Sequence, residues 1–391
     1  MTDRPVTADR LAGIGPTIFA EMTKLAVATD SINLGQGFPD TDGPSEVLNA
    51  ATAAIAEHHN QYSPGVGVAE LRTAVADHQR RFRSIDVDAD TGVLVTSGAT
   101  EAIAAAMLSL VNPGDEVVMF EPFYDSYVAA VAMAGGIGRF VPLNAPDDDH
   151  DEWWFDPDDL HAAVSPSTRL ILLNTPHNPT GKVFTSEELQ IVAAVAIEHD
   201  LIVVTDEVYE HLVYDGAHIA LASLPAMSER TLTISSGGKT FSLTGWKVGW
   251  ISGPEHLVSA VRLCKQFLTY CTPAPLQLGI AAGLRMGDGY FAGLAADMVA
   301  KRDRLAAGLA AVGLEPYCAA GGYFLTTDVS ALGDHTALDF CLTLPGRVGV
   351  VAIPSSAFYA HPDRGRTLVR WAFCKRHEVL DEAVDRLSGI R

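Results

Sequence analysis

The chain has 391 residues, of which 48% are hydrophobic and 19% are charged, and it carries a formal net charge of −21 at pH 7. This composition is typical of a globular protein with a substantial core, and the length allows two or three domains. Because phosphate backbones are bound by basic surfaces, the charge argues against a nucleic-acid partner, although a small anion can still bind at local cations and helix N-termini.

The first fifteen residues are polar, and no run of about 18 apolar residues follows, so we expect neither a signal peptide nor a membrane span. The cysteines are scattered without a CxxC pair, which predicts unpaired thiols in a cytoplasmic protein rather than disulfides or a zinc site. They are Cys264, Cys271, Cys318, Cys341 and Cys374. The histidines show no HExxH or comparable spacing, and we predict no metal.

From about residue 92, short β-branched segments alternate with helical ones, the pattern of an α/β fold with a largely parallel sheet. Strands are predicted over 92–96, 116–120, 169–174, 201–205, 231–235 and 248–252. Helices are predicted over 46–58, 101–110, 124–134 and 255–267, and after the segment 185–188 (TSEE), which resembles a capping box.

After about residue 288 the pattern changes, because a long helix over 290–312 leads into strand-like segments at 323–327, 350–353 and 368–373. We predict a large domain over residues 46–287 and a smaller α+β domain over 288–391. The N-terminal arm, residues 1–45, is expected to join the small domain.

Polar residues follow three of the predicted strands at their carboxyl ends: Asn174, Asp206 and Ser236. Ligands of open α/β sheets bind at this edge. The three residues therefore predict one site.

Lys239 follows the small residues of segment 235–238 (SSGG) at a strand end, where its amine can approach a ligand without obstruction. A lysine removed from water loses its proton more easily and becomes a nucleophile, as Schiff-base chemistry requires. The alternative is a solvated surface lysine.

Two further motifs can hold a cofactor ring. Asp206 either caps a helix or directs its carboxylate at a pyridine nitrogen, which turns the ring into an electron sink. Tyr209 lies on a similar face if that segment is helical. Asn178 lies in a turn with two X-Pro steps, and its amide either serves the turn or donates to a cofactor oxygen.

Two motifs can hold anions. Segment 97–100 (SGAT) opens a helix directly after a strand, where backbone N–H groups favour a phosphate. Arg370 lies in an apolar strand-like run, and it either pairs with a carboxylate or faces water at a sheet edge.

Segment 65–70 (GVGVAE) begins like a dinucleotide fingerprint, but it lacks the third glycine and follows no strand, so we do not predict a dinucleotide site there.

Together these segments resemble the fold-type I, pyridoxal 5′-phosphate (PLP)-dependent aminotransferases of classes I and II, in the right order from about residue 13 onward. The resemblance is strongest to the kynurenine/glutamine aminotransferase group and to actinobacterial proteins similar to N-succinyldiaminopimelate aminotransferase. It rests on 33–40 (NLGQGFPD), 60–62 (NQY), 121–125 (EPFYD), 174–181 (NTPHNPTG), 206–209 (DEVY) and 236–249 (SGGKTFSLTGWKVG). It implies a large domain with a mostly parallel seven-stranded sheet and a smaller α+β domain.

The resemblance also implies a role for each site residue. Lys239 would form the Schiff base and move the Cα proton, while Asp206 would pair with the pyridinium. Asn178 and Tyr209 would bind the ring hydroxyl oxygen. The remaining cofactor contacts would be Tyr124 on the ring, and Gly98, Ala99, Thr100, Ser236, Lys247 and Tyr62 of the partner subunit at the phosphate.

The substrate α-carboxylate would be held by Arg370, Gly37 and Asn178. Two positions depart from the pattern. Phe19 stands where some relatives have Trp beside the substrate side chain, and Lys247 stands where many have Arg, which still supplies a cation.

The implied reaction moves an amino group from an L-amino acid to a 2-oxo acid in a homodimer, with glutamate and 2-oxoglutarate as the default pair. N-succinyldiaminopimelate and amino acids of the aromatic, glutamine or methionine type are further candidates. A cysteine-conjugate β-lyase is the first alternative, and it would release pyruvate and ammonia without an acceptor. The second is a non-catalytic, aminotransferase-like ligand sensor, which the retained Lys239 and the lack of a preceding basic helix-turn-helix disfavour.

Overall fold

The computed structural model describes residues 6–12, 14–15, 17–333 and 336–390, which form thirteen α-helices and twelve β-strands besides short 3-10 turns. The helices are α1 (Ile18–Ala28), α2 (Ser45–Ala56), α3 (Ala69–Arg83), α4 (Gly98–Leu110), α5 (Ser126–Ala134), α6 (Pro157–Ala163), α7 (Ser186–Glu198), α8 (Gly237–Thr240), α9 (Glu255–Lys265), α10 (Ala274–Leu284), α11 (Asp288–Ala311), α12 (Ala337–Val348) and α13 (His377–Leu387). The strands are β1 (Ile32–Asn33), β2 (Val93–Thr96), β3 (Glu116–Glu121), β4 (Ile137–Pro142), β5 (Thr168–Asn174), β6 (Ile202–Asp206), β7 (Thr231–Ser236), β8 (Gly249–Ser252), β9 (Phe324–Asp328), β10 (Val350–Val351), β11 (Ile353–Pro354) and β12 (Leu368–Ala372).

Seven strands form the main sheet in the order β2-β8-β7-β6-β5-β3-β4. Strand β8 runs antiparallel to β2 and β7, and the other pairs of neighbouring strands in this sheet are parallel. Along β3, Val117 and Met119 pack with helices α4, α5 and α9, whereas Val118 and Phe120 pack with α7 on the other face. Because both faces are covered, the inner strands are continuous apolar runs. The predicted α/β class and mostly parallel sheet are confirmed.

A second, antiparallel sheet has the order β11-β12-β9, and β1 pairs parallel with β10. The prediction of a single strand over 350–353 was wrong. The chain changes partner at Ala352, because Val350 and Val351 pair with the N-terminal arm while Ile353 pairs with Arg370 of β12. An apolar run in the sequence does not show which neighbouring strand each of its residues pairs with.

Helices α3 and α10 and strand β4 were not predicted. In α10 the pattern is obscured by glycines, which the packing requires. A Cβ at Gly279 would lie 2.9 Å from the Val47 carbonyl oxygen, so only glycine lets α10 lie against α2. The predicted capping box does form, with Thr185 and Glu188 bonding each other's backbone N–H groups at the start of α7.

The described helices include none that is both long and apolar enough to cross a membrane. The five cysteines are unpaired, as expected.

Strands β5, β6 and β7 are neighbours, so their carboxyl ends meet at one edge of the main sheet. There the Asn174 amide donates to the carbonyl oxygens of Asp206 (2.8 Å) and Pro176 (3.1 Å), and its oxygen accepts from the Asn178 N–H at 2.7 Å. Asn174 therefore fixes the turn that carries Asn178.

His177 lies in the same turn and is buried, with its Nδ1 2.8 Å from the Thr180 hydroxyl. Burial, together with the smaller effect of the nearby Lys182, lowers the pKa of His177 to about 3. Its folded pKa is thus below the ordinary value of about 6.5, so the unfolded chain takes up this proton first. The contribution of neutral His177 to the free energy of unfolding is therefore fully present above about pH 6.5 and is lost as the pH falls towards its folded pKa.

We predict that His177→Gln, which keeps hydrogen-bonding capacity but does not titrate, reduces the acid sensitivity of the fold. Between pH 7 and pH 5 the wild type should lose about 2 kcal/mol more unfolding free energy than the variant. Denaturant unfolding at both pH values measures this, with the exposed His161→Gln as control. Equal losses for His177→Gln and wild type would contradict the assignment.

Candidate active site

A cavity of about 320 Å³ lies at the carboxyl edge of β5, β6 and β7, within the size range of small-molecule sites. All of the predicted site residues except Tyr62 line it. They are Phe19, Gly37, Gly98, Ala99, Thr100, Tyr124, Asn178, Asp206, Tyr209, Ser236, Lys239, Lys247 and Arg370. The arm, the main sheet and the C-terminal strands thus meet around one space.

Asp206 ends β6 with its side chain buried in the wall of this cavity. Tyr127 donates its hydroxyl to Oδ2 at 2.7 Å, and the Val208 N–H donates to Oδ1 at 3.3 Å. Burial raises the pKa of Asp206 to about 6 despite these two donors. A cationic partner would restore the ordinary preference for the charged form.

Tyr209 reaches the cavity from a turn rather than from a helix. The Glu210 N–H donates to the Glu207 carbonyl oxygen at 2.9 Å, and no α-helix follows β6 in the described chain before Leu221. The helical geometry considered for this segment does not form. The side chain is nevertheless buried in the site, and burial raises the pKa of its phenol.

Lys239 projects from the single turn of α8. Its Nζ donates to the Tyr323 hydroxyl at 2.7 Å and lies 3.4 Å from the Gly37 carbonyl oxygen. Burial lowers the pKa of Lys239 to about 8, and the positive charges of Arg370 and Lys247 act in the same direction. With this pKa roughly a tenth of the amine is neutral, and so nucleophilic, at pH 7.

The N-terminus of α4 forms one end of the cavity, which Gly98, Ala99 and Thr100 line. Gly98 has φ +78°, and a Cβ there would lie 3.2 Å from the Lys247 ammonium nitrogen. A Cβ at Gly249 would lie 2.8 Å from the Ala99 nitrogen, so glycine is required for β8 to pass this close. Free N–H groups and a cation converge here, which suits a phosphate.

Arg370 is a buried cation, and the described part of the chain supplies no counter-ion to it. Its guanidinium donates to the Asn178 side-chain oxygen at 3.0 Å and to the Gly35 carbonyl oxygen at 2.7 Å, while Nε has no partner. The rings of Phe324 and Phe358 lie 4.0 and 4.9 Å from it. No carboxylate among the described residues forms an ion pair with it. Burial lowers the pKa of Arg370 to about 10.

An unpaired buried charge is costly. Arg370 therefore marks a place for an anionic group of a ligand. The edge-strand alternative, in which this charge faces water, is wrong because Arg370 is only 1% exposed.

Tyr62 is the predicted site residue that the structure does not bring to this cavity. Its side chain is 86% exposed, and its ring packs edge-on against Tyr270 with centroids 5.7 Å apart. The neighbouring Thr269 hydroxyl lies 3.3 Å from that of Ser97, next to the Gly98 end of the cavity.

Two tyrosines at the site were not predicted. Tyr127 lies in the first turn of α5, three residues after Tyr124, and in the helix predicted over 124–134 this spacing puts two side chains on one face, which could have identified it. Tyr323 precedes β9 and reaches Lys239 from 84 residues away, and no local pattern indicates that contact.

Comparison with known proteins gives a consistent result. The family model described as aminotransferase class I and II matches residues 29–387. The chain is 50% identical to the probable N-succinyldiaminopimelate aminotransferase of Mycobacterium tuberculosis over 98% of both chains, and the solved structure under that name superposes with a TM-score of 0.95 over 98% of this chain and 99% of that one.

Kynurenine–oxoglutarate transaminase 3 of Rattus norvegicus is 41% identical over 96% of this chain and 88% of its own length. The solved structure of an Escherichia coli protein with methionine aminotransferase function is 38% identical and has a TM-score of 0.93 over 98% and 99% of the two chains.

Proposed function

The chain belongs to the class I and class II aminotransferase family, and from that membership we propose what each residue of the cavity does. The protein is a PLP-dependent enzyme that moves an amino group from an amino acid to a 2-oxo acid. The roles of its residues, its preferred substrate and its assembly are the proposal.

The donor groups of the cavity fit PLP. Asp206 offers a buried carboxylate that forms no ion pair with any described residue, Lys239 offers a partly neutral amine, and Gly98 with Lys247 offers an anion cradle that a side chain at position 98 would enter. PLP carries a matching basic nitrogen, aldehyde and phosphate.

When bound, PLP supplies a protonated ring that withdraws the electron pair left at the substrate Cα. Asp206 would keep the ring nitrogen protonated, and Tyr127, which already donates to the Asp206 carboxylate, would hold it in place. Asn178 and Tyr209 would bind the ring hydroxyl oxygen, and Tyr124 would contact the ring.

Lys239 would hold the cofactor through its amine, and the same amine would move the proton at the substrate Cα. Burial supports both tasks because it favours the neutral amine. The N–H groups of Gly98, Ala99 and Thr100, with Ser236 and Lys247, hold the phosphate.

The proposed substrate class rests on a single observation, the environment of Arg370. Its buried guanidinium, with an unpartnered Nε, needs an anion, and the α-carboxylate is the anion that amino acids and 2-oxo acids share. Asn178 bonds this guanidinium, and Gly37 lines the cavity beside it. The three therefore act as the carboxylate clamp.

The remaining wall supports an amino donor with a neutral side chain. Phe19, Phe38 and Phe324 are apolar and Gln36 is uncharged. The three cations that line the cavity within the described chain already serve the cofactor and the α-carboxylate, which leaves none for a second carboxylate. We therefore place methionine, glutamine or aromatic amino acids ahead of glutamate and N-succinyldiaminopimelate as donors.

A homodimer with shared sites is the proposed assembly. Tyr62 packs against Tyr270, and the segment that leads to Tyr270 carries exposed apolar side chains, with Phe267 84% and Leu263 68% exposed. This surface borders the phosphate end of the cavity through Thr269 and Ser97. In a dimer it would be covered, and Tyr62 would donate to the phosphate in the partner's site.

The division into an arm (1–45), a large domain (46–287) and a small domain (288–391) also remains a proposal. It is supported by the pairing of β1 with β10 and by the packing of α2 on α10. The unpaired cysteines support a cytoplasmic location.

Arg370→Gln should lower kcat/KM for amino donors and 2-oxo acceptors alike, by roughly ten- to a hundredfold, because each loses a charge-assisted contact to its α-carboxylate. The measurement is the half-reaction rate with methionine, glutamine, phenylalanine and glutamate, and with their 2-oxo acids. Arg304→Gln, which removes a surface pair with Asp381, is the control. A loss confined to glutamate would instead place Arg370 at the side-chain end of the site.

Tyr62→Phe and Lys239→Ala should each impair the homodimer, and mixing the two variants should restore activity. Their heterodimer has one site with both substitutions and one with neither. Lys239→Ala mixed with Arg370→Gln is the matched control, because both substitutions stay within their own chain's site and no intact site forms. If mass spectrometry shows subunit exchange without any recovery for the first pair, Tyr62 does not act across the interface.

A further inference from the structure

The Tyr323 hydroxyl lies where three segments of the chain meet. It accepts a hydrogen bond from the Lys239 amine at 2.7 Å and donates its own proton to the Gly37 carbonyl oxygen. Gly37 belongs to the N-terminal arm, Lys239 to α8, and Tyr323 immediately precedes β9. Tyr323 is 1% exposed and does not itself line the cavity.

The hydrogen-bond inventory of these groups fixes the direction of each bond. A phenol has one proton, and Gly37 takes it, so the Tyr323 oxygen can only accept from Lys239. The Gly37 carbonyl, 3.4 Å from Nζ, can also only accept. A neutral amine has two N–H bonds and one lone pair. With both N–H bonds directed at these acceptors, the lone pair is directed away from them.

The surroundings of Nζ on its other sides strengthen this restriction. The centroids of the Tyr323 and Tyr209 rings lie 5.3 and 5.6 Å from Nζ, and the two rings meet edge to face. Lys239 itself lines the cavity, so the direction left open to its lone pair is the cavity.

We propose that Tyr323 is a positioning residue for Lys239, whose hydroxyl holds the amine so that its lone pair, or its third N–H when protonated, is directed at the substrate Cα. The inference rests on the proposed role of Lys239 and adds a residue to it. The same orientation serves the amine when it takes a proton and the ammonium when it returns one, because the two acceptors occupy the same N–H positions in both forms.

A purely structural role for this hydroxyl is the alternative, since Gly37 alone would satisfy a buried phenol. The chain offers a matched case. Tyr214 is half-buried and donates its hydroxyl to a backbone carbonyl, that of Gly322, and among the described residues it forms no hydrogen bond with Lys239. Tyr214→Phe therefore removes the same kind of bond without touching the amine.

The test compares wild type, Tyr323→Phe, Tyr214→Phe and Lys239→Ala as PLP-loaded enzymes. Tyr323→Phe should lower kcat by roughly ten- to a hundredfold, as expected for a misdirected general base, and change KM for methionine by less than about twofold. The kinetic isotope effect with α-deuterated methionine should rise, because proton transfer limits the rate. Tyr214→Phe should resemble wild type in each measurement.

A second readout does not depend on activity. In the pyridoxamine phosphate form Lys239 is a free amine, and its acylation by a water-soluble reagent can be followed against pH by mass spectrometry. Loss of an acceptor disfavours the ammonium, so the midpoint of labelling should shift to lower pH in Tyr323→Phe and stay in place in Tyr214→Phe.

An unchanged midpoint and isotope effect in Tyr323→Phe would overturn the inference, even if its thermal stability falls. The proposed function itself would be contradicted by a different result, namely a half-reaction that persists in Lys239→Ala. Loss of activity in Lys239→Ala together with wild-type behaviour of Tyr323→Phe would leave the role of Lys239 intact and remove only that of Tyr323.

Discussion

The site depends on charged groups that the fold buries without oppositely charged partners. Within the described part of the chain, Arg370 forms no ion pair with a carboxylate, Asp206 forms none with a cation, and the Lys239 amine has only neutral oxygens within hydrogen-bond distance. Removal from water is the first cause of all three pKa shifts, downward for Arg370 and Lys239 and upward for Asp206. Each group is thereby held ready for a complementary group of the ligand, and binding recovers part of the cost of burial.

The sheet makes this burial possible. Parallel strands β5, β6 and β7 end together and are covered on both faces, so side chains that follow them emerge at one edge inside the protein. Asn174 then uses its amide to fix the turn that carries Asn178, and Asn178 in turn bonds Arg370. A chain of hydrogen bonds thus connects the end of β5 to Arg370 on β12.

The sequence was enough to identify the cavity residues that follow strand ends or belong to continuous motifs. Both the rule that ligands bind at the carboxyl ends of parallel strands and the family resemblance can be applied to short local segments. Lys239, Asp206 and Asn178 are of this kind. The sequence analysis did not reach Tyr127 or Tyr323, which act through hydrogen bonds to other side chains and carry no motif of their own. It also joined β10 and β11 into one strand and missed α10, since the partner edges and the close approach to α2 are set by tertiary packing.

The central claim is that Lys239 carries the cofactor, and reduction of the PLP-loaded enzyme with borohydride tests it most directly. Reduction fixes the cofactor on the lysine that holds it, and peptide mass spectrometry then identifies that lysine among the seven in the chain. We predict a single stoichiometric label on Lys239 and none on Lys247, the other lysine of the cavity. A label on Lys247 or on any other lysine, with Lys239 unmodified, would contradict the account.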